Sequence, residues 1–307
     1  MIAVVFSFSA FGAIMLTGYI FAILSGVAAA LGGLSYRYGA KGKVPTIELQ
    51  TAMSLAGIVL WSILCGSRIS RVAPVAAIMG VVAGITQYLE IRLLRDALKR
   101  GPLSPAWCAI SLGNFVPVIV YSALFLGERP SVCQYFSLAA AVGAILFASR
   151  AQDSGGGERK PWSAVYLVLL VLLFLLVSLL NIFLKYASGV PGPAGTGTLF
   201  DEQKSAIMLI TYVFMFAMCA ADLTISRSWV FNRHAWIGGA VLAVGGISAY
   251  FCIVLIMTLP AVLVFALSNT TSILAVALLS TLIFGEKRTR DWYLMVALSL
   301  LAIILNR

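Results

Sequence analysis

Polar side chains capable of hydrogen bonding interrupt several long apolar runs of this sequence. Inside such a run an amide, hydroxyl or phenol has no water to bind, so its partner is another helix or a bound solute. The candidates for lining a solute-binding cavity are Thr86, Tyr88, Ser111, Asn114, Asn181, Ser248, Tyr250, Asn269, Thr271 and Ser272. The alternative for each is that it hydrogen-bonds across helices and only helps them to pack.

Acid–base and metal chemistry has few residues available. His234 is the only histidine, and the five cysteines include no CxxC pair, so we expect no metal site and no cofactor. No carboxylate falls at the centre of an apolar run. Glu90, at the end of one, is the candidate for coupling solute movement to proton binding. An enzyme would need nucleophiles, paired acids or metal ligands at that depth, so we do not expect an enzyme.

The composition indicates a multi-pass integral membrane protein. Of 307 residues, 61% are hydrophobic and 10% are charged, and a soluble domain could not bury that much apolar surface. A membrane-spanning helix needs about 20 apolar residues. We predict an all-α protein with ten spans, at 17–36, 46–67, 72–91, 103–126, 131–149, 163–184, 205–225, 235–257, 261–284 and 290–306.

The net charge of +10 does not indicate a nucleic-acid partner. The basic residues occur singly or in small groups at the ends of the apolar runs and form no basic stripe. We expect them to set topology and to contact lipid headgroups. The expected partners are therefore a small-molecule substrate and membrane lipid, and the sequence leaves the oligomeric state open.

The chain divides into two sets of five predicted helices. A polar segment over 151–160 forms a linker between residues 1–150 and 161–307. Residues 1–16 are apolar but short for a span, so they either lengthen the first helix, form an interfacial piece or are a poorly defined start; a further alternative is an additional span hidden within 1–36. The segment 187–204, rich in glycine and proline, is predicted to be the other long loop.

The second set of helices matches the first. Residues 102–145 align with 260–303 without a gap, with ten identities that include Gly127 and Glu128 against Gly285 and Glu286. We expect each Gly-Glu pair to be structural: glycine allows a sharp turn, and the carboxylate meets free N–H groups in the first turn of its own following helix. Because five is odd, the two sets would cross the membrane in opposite senses, as inverted repeats.

The distribution of basic residues supports the opposite orientation of the two sets of helices. The loops that follow the odd-numbered helices, taken together, hold 15 of the 21 Lys and Arg residues. By the positive-inside rule these loops are cytoplasmic and both termini lie outside.

The two Gly-Glu pairs, each between two apolar helices and each closing a set of five, resemble the drug/metabolite transporter superfamily. The most similar members are the ten-helix EamA-type permeases, and the resemblance covers roughly residues 17–307. It implies a solute carrier of the inner membrane if the source is bacterial, with the candidate polar residues lining a central cavity. It also implies cytoplasmic termini, contrary to the charge count, so the absolute orientation stays open.

Two functions remain after these exclusions. The first is a permease, such as an exporter, that moves a small metabolite or drug by alternating access between the two repeats. The second is a flippase of the same fold for a lipid or a lipid-linked sugar. The neutral character of most candidate site residues favours the first over an anionic lipid substrate.

Overall fold

The computed structural model describes residues 2–41, 43–66, 72–100, 103–153, 163–284 and 288–306. Over these ranges the backbone forms ten α-helices, one π-helical turn and no strand beyond an isolated bridge between Pro191 and Thr198. The helices are α1 (Ile2–Lys41), α2 (Thr46–Cys65), α3 (Pro74–Leu98), α4 (Leu103–Phe125), α5 (Val132–Asp153), α6 (Ala164–Ala187), α7 (Leu199–Ile225), α8 (Arg233–Ile256), α9 (Leu267–Phe284, preceded by the π-helical turn Val262–Ala266) and α10 (Arg290–Leu305).

Eight of these helices are long and apolar enough to cross a membrane, which indicates a multi-pass integral membrane protein. Of the other two, α5 contributes the shorter apolar stretch Val132–Ala148, and α10 has 16 residues. The first helix is continuous from residue 2, so the apolar residues 2–16 lengthen it rather than form a separate element.

The loop predicted over 187–204 is shorter than expected because α7 begins at Leu199. The Thr198 side chain accepts a hydrogen bond from the Asp201 backbone N–H, and the Asp201 carboxylate accepts one from the Thr198 N–H. This reciprocal capping satisfies two N–H groups that would otherwise lack partners. A glycine- and proline-rich composition concealed this helix start.

Helices of one half pack mainly against helices of the other. The most extensive contacts pair α1 with α8 and α9, α2 with α7 and α8, α3 with α6 and α7, α4 with α6, and α5 with α10. Two glycines allow α1 to approach its neighbours closely. A Cβ at Gly245 would lie 2.6 Å from the Ala28 carbonyl oxygen, and one at Gly26 would lie 2.4 Å from the Ser268 carbonyl oxygen.

The start of the ninth helix lies at the centre of this bundle. All residues from Ala261 to Ser268 are buried, including the whole π-helical turn. An i→i+5 turn is wider than an α-helical one and frequently occurs at functional sites. It leads directly into the segment that carries Asn269 and Thr271.

Candidate functional site

Three asparagines from three helices form a hydrogen-bonded cluster, the amide trio, consisting of Asn114 of α4, Asn181 of α6 and Asn269 of α9. The Asn181 Nδ2 donates to the Asn114 Oδ1 at 3.0 Å, and the Asn114 Nδ2 donates to the Asn269 Oδ1 at 3.4 Å. All three side chains are half-buried. Sequence reasoning named each of these residues, and the fold brings them together.

The amide trio keeps hydrogen-bonding capacity for a ligand. Asn181 also donates to the Val177 carbonyl at 3.0 Å, and Asn269 donates to the Phe265 carbonyl at 2.8 Å. An amide nitrogen has two N–H groups and its oxygen accepts two bonds. Within the described part of the chain, one N–H each of Asn114 and Asn269 and the Oδ1 of Asn181 are left for a solute.

A buried ion pair lies one helical turn beyond the amide trio. The Lys185 Nζ is 2.8 Å from the Glu128 Oε1, with 2% of the Lys185 side chain exposed. The same ammonium donates to the carbonyl oxygens of Met257 and Leu259 at 3.2 and 2.6 Å. Lys185, Glu128 and these two carbonyls, which we call the clamp, join the end of α6 to the loop between α8 and α9.

Glu128 has a structural role, but not the expected one. It precedes α5, which begins at Val132, and its Oε2 accepts a hydrogen bond of 2.7 Å from the backbone N–H of Ala261. The carboxylate therefore caps the start of the ninth helix instead of its own following helix. Gly127 adopts a positive φ of 68°, the turn conformation that favours glycine. Gly285 and Glu286 lie outside the described residues.

A second polar region surrounds Glu90. The Glu90 group comprises Tyr36 of α1, Gln50 of α2, Gln87 and Glu90 of α3, Tyr212 of α7 and Tyr250 of α8. Glu90 is half-buried and lies three residues after Gln87 on α3, so the two share one face of the helix. Tyr212 and Tyr250 make an edge-to-face contact, with their ring centroids 6.4 Å apart.

Two pairs of residues within the Glu90 group are hydrogen-bonded. The Tyr36 hydroxyl donates to the Gln50 Oε1 at 2.7 Å, and the Gln50 Nε2 lies 3.1 Å from the Met215 sulfur. The Gln87 Nε2 donates to the Tyr250 hydroxyl at 3.3 Å. Yet the Gln87 Oε1 and the Tyr212 hydroxyl are fully buried and have no hydrogen-bond partner among the described residues. Such atoms cost free energy unless a ligand or water completes them.

Several predicted residues lie elsewhere. Tyr88 accepts a hydrogen bond of 2.7 Å from the Arg92 guanidinium and donates one of 3.4 Å to Asp222, at the boundary between α3 and α7. Ser248 is exposed in α8, and Thr86 is buried in α3. Arg92 and Asp222, the hydrogen-bond partners of Tyr88, belong to neither polar region.

The remaining candidates belong to α4 and α9. Ser111 and Ser272 are half-buried, each one turn from an asparagine of the amide trio. Thr271 is buried against Gly26 of α1, and its hydroxyl is among the buried atoms without a partner. Sequence reasoning did not select Tyr36, Gln50, Gln87 or Tyr212, and the glutamines within apolar runs were the available signal.

An apolar groove runs between α4 and α6. Its volume is about 290 Å³, and it is lined by Cys108, Ala109, Leu112, Leu170, Val171 and Phe174. No group of three or more His, Cys, Asp or Glu residues suited to a metal ion occurs in the ranges that the structure covers.

Comparison with known proteins identifies the fold and nothing finer. No family model matches the sequence, and no curated protein matches it. A solved crystal structure superposes on it with a TM-score of 0.71 at 16% identity, and the match covers 96% of each chain. The architecture is thus shared over nearly the whole length with another chain, at an identity that carries no functional assignment.

Proposed function

We propose that this protein is a membrane carrier that moves a small organic solute by alternating access between two inverted five-helix repeats. The observation that carries the proposal is the pattern of helix contacts. Each helix can be exchanged for its counterpart in the other half, so that α1 and α6, α2 and α7, and so on change places. The contact α1–α8 then becomes α6–α3, α1–α9 becomes α6–α4, and α2–α8 becomes α7–α3, and all of these contacts are present. The pairs α2–α7 and α5–α10 map onto themselves, as a pseudo-twofold relation requires.

Contacts at the loops support the same relation. Glu48, in the first turn of α2, accepts hydrogen bonds of 2.9 and 3.0 Å from the N–H groups of Val230 and Phe231 before α8. Gln203, near the start of α7, accepts one of 3.4 Å from the Ala73 N–H before α3. Helices two and seven thus support the starts of helices eight and three, which are equivalent elements of the two halves.

The amide trio supports the location of the solute site. Its three side chains come from α4, α6 and α9, so they join elements of both halves where a rocking motion would expose the site to either side. Asn114 and Asn269 would donate to polar groups of the solute and Asn181 would accept. Ser111 and Ser272 extend the polar surface by one turn in each half.

The clamp would act as a gate at one membrane face. It ties α6 to the start of the ninth helix one turn from Asn181, so releasing it would separate two of the three helices that carry the amide trio. A solute can favour that change only by binding the opened form more tightly than the closed one. The paired Gly-Glu motifs and the five-plus-five helix order support membership of the drug/metabolite transporter superfamily.

A flippase for a lipid or a lipid-linked sugar is the second candidate. It is favoured by the apolar groove between α4 and α6, because Leu112 and Phe174 lie on the two helices that carry Asn114 and Asn181. A lipid tail in this groove would place its headgroup toward the amide trio. Reconstituted vesicles with a dithionite-quenchable fluorescent lipid would separate the two functions, since a solute carrier would not accelerate the quenching.

The test of the carrier is uptake of a labelled metabolite panel by proteoliposomes. Asn114→Ala and Asn269→Ala should each reduce the transport of an accepted solute at least about tenfold, because buried polar groups of site and solute lose their partners. Ser248→Ala, which alters an exposed position, is the matched control and should transport normally. Normal transport by both asparagine variants at equal expression would contradict the proposal that the amide trio forms the solute site.

A further inference from the structure

We infer that the Glu90 group binds a small protonated amine that carries no carboxylate of its own. The inference adds a second binding site to the proposed carrier and names the chemical class of its ligand. Transport of that ligand rests on the proposed function, whereas its binding does not.

The first argument concerns charge. Glu90 has no cationic partner within ion-pair distance among the side chains that the structure describes. Arg92, two residues away, is turned toward Tyr88, and Lys185 is held in the clamp. Carboxylates in membrane segments normally pair with one another or with a cation, and otherwise mark a functional site. An incoming cation would supply the missing charge.

The second argument concerns hydrogen bonds. The Gln87 Oε1 is an acceptor on a residue that is 5% exposed, and no donor reaches it in the part of the chain that the structure describes. Gln87 and Glu90 are three residues apart on α3, so they share one face of the helix. A primary ammonium has three N–H donors and could bind the carboxylate and the amide oxygen together. A ligand without N–H donors would leave the amide oxygen unsatisfied.

The third argument concerns the rings. Tyr36, Tyr212 and Tyr250 all belong to the group, and the Tyr250 hydroxyl accepts a hydrogen bond of 3.3 Å from Gln87, which shares a helix face with Glu90. Aromatic faces attract an ammonium within about 6 Å of the ring centroid. The Tyr212 ring is held in place by Gly57, where a Cβ would lie 2.5 Å from the ring. Phenol rings beside a carboxylate are suited to a cation with an apolar body.

The same features exclude other ligands. A single carboxylate with amide and phenol groups lacks the donor set of a metal site, and none is found in the described ranges. An anion would meet Glu90 without a compensating cation. An amino acid zwitterion would place its carboxylate in the same field, so an amine without an acid group is preferred.

Binding to the full-length protein in detergent tests the inference, with three ligands of one shape. By isothermal titration calorimetry, phenethylamine should bind saturably, and 2-phenylethanol and phenylacetate should bind at least about tenfold more weakly, the difference expected for a hydrogen-bonded charge. This comparison needs no variant. Equal binding of the amine and the alcohol, including no saturable binding of either, overturns the inference.

Variants locate the site. Glu90→Gln keeps the shape and removes the charge, so it should weaken phenethylamine binding at least about tenfold while 2-phenylethanol is unaffected. Asp96→Asn, on the same helix with a 37% exposed side chain, is the control and should bind as the wild type does. Unchanged amine binding by Glu90→Gln overturns the assignment. If that variant does not fold, Gln87→Leu provides the same test through the second acceptor.

Binding and transport separate the two proposals. Amine binding without any proteoliposome flux would preserve the Glu90 site and contradict the carrier. Flux of other solutes that depends on Asn114 but is accompanied by no amine binding would preserve the carrier and contradict the Glu90 site.

Discussion

The clamp and the Glu90 group are two polar regions of one apolar bundle, and they differ in whether their charged groups are paired. In the clamp the ammonium of Lys185 meets one carboxylate and two carbonyl oxygens, and the second oxygen of Glu128 caps a helix. In the Glu90 group the carboxylate has no cation among the described residues, and two neighbouring polar atoms have no partner. The first region is complete, whereas the second is complete only with a ligand.

This difference separates polar groups that are already satisfied within the protein from polar groups that keep capacity for a ligand. A buried charge with full partners strongly resists removal of one member. A buried polar group without partners is retained at a cost to stability, and binding is one reason for retaining it. The amide trio lies between the extremes, since its members bond to one another and still keep free donors.

Breaking the clamp should have the largest effect. Lys185→Met leaves the Glu128 carboxylate without its cation and should lower the free energy of unfolding by about 3–5 kcal/mol. The measurement is SDS-induced unfolding in mixed micelles. Adding Glu128→Gln to Lys185→Met should recover a large part of this loss, because no uncompensated charge then remains. An additive loss in the double variant would show that the two side chains do not act as a pair.

Crowding the Glu90 group should have an intermediate effect. Gly57→Ala places a methyl group 2.5 Å from the Tyr212 ring, and forced overpacking costs about 1–3 kcal/mol. We expect a lower unfolding free energy and weaker amine binding together. The control is Gly32→Ala, whose Cβ would lie 3.4 Å from the nearest atom, a Leu242 methyl. Equal stabilities of the two variants would argue against a tightly held Tyr212.

Neutralising Glu90 should have the smallest effect on stability. Its sign should be opposite to that of the stability change caused by breaking the clamp. Because Glu90 has no cationic partner in the described structure, Glu90→Gln removes the desolvation cost of a charge without breaking an ion pair. The unfolding free energy should stay within about 0.5 kcal/mol or rise. The same unfolding assay without added amine measures it. A loss as large as that of Lys185→Met would indicate an ion pair and contradict the comparison.

Much of the architecture was predictable, because apolar runs and their interruptions are local properties of a sequence. The ten helices follow the predicted segments in order, and Asn114, Asn181 and Asn269 were recognisable as amides at membrane depth. The polar contacts were harder to predict from the sequence. Lys185 and Glu128 are far apart in sequence, and the helix that Glu128 caps begins farther away still, so nothing local identifies their pairing.

Repeat matching also had a limit. The similar segments 84–88 and 246–250 make Tyr88 and Tyr250 equivalent positions. Yet Tyr88 is hydrogen-bonded to Arg92 and Asp222, while Tyr250 is hydrogen-bonded to Gln87. A match between repeats therefore predicts where a helix lies better than it predicts which residues its side chains contact.

The opposed orientation of the two halves is the central claim, and labelling of equivalent loops tests it most directly. Arg129 and Arg288 are exposed residues that follow α4 and α9, and five helices separate them. In a cysteine-free background in sealed vesicles, a membrane-impermeant maleimide should label Arg129→Cys and Arg288→Cys from opposite sides. Labelling of both from the same side would mean that one intervening helix, such as the short α5, does not cross, and would contradict the inverted repeat.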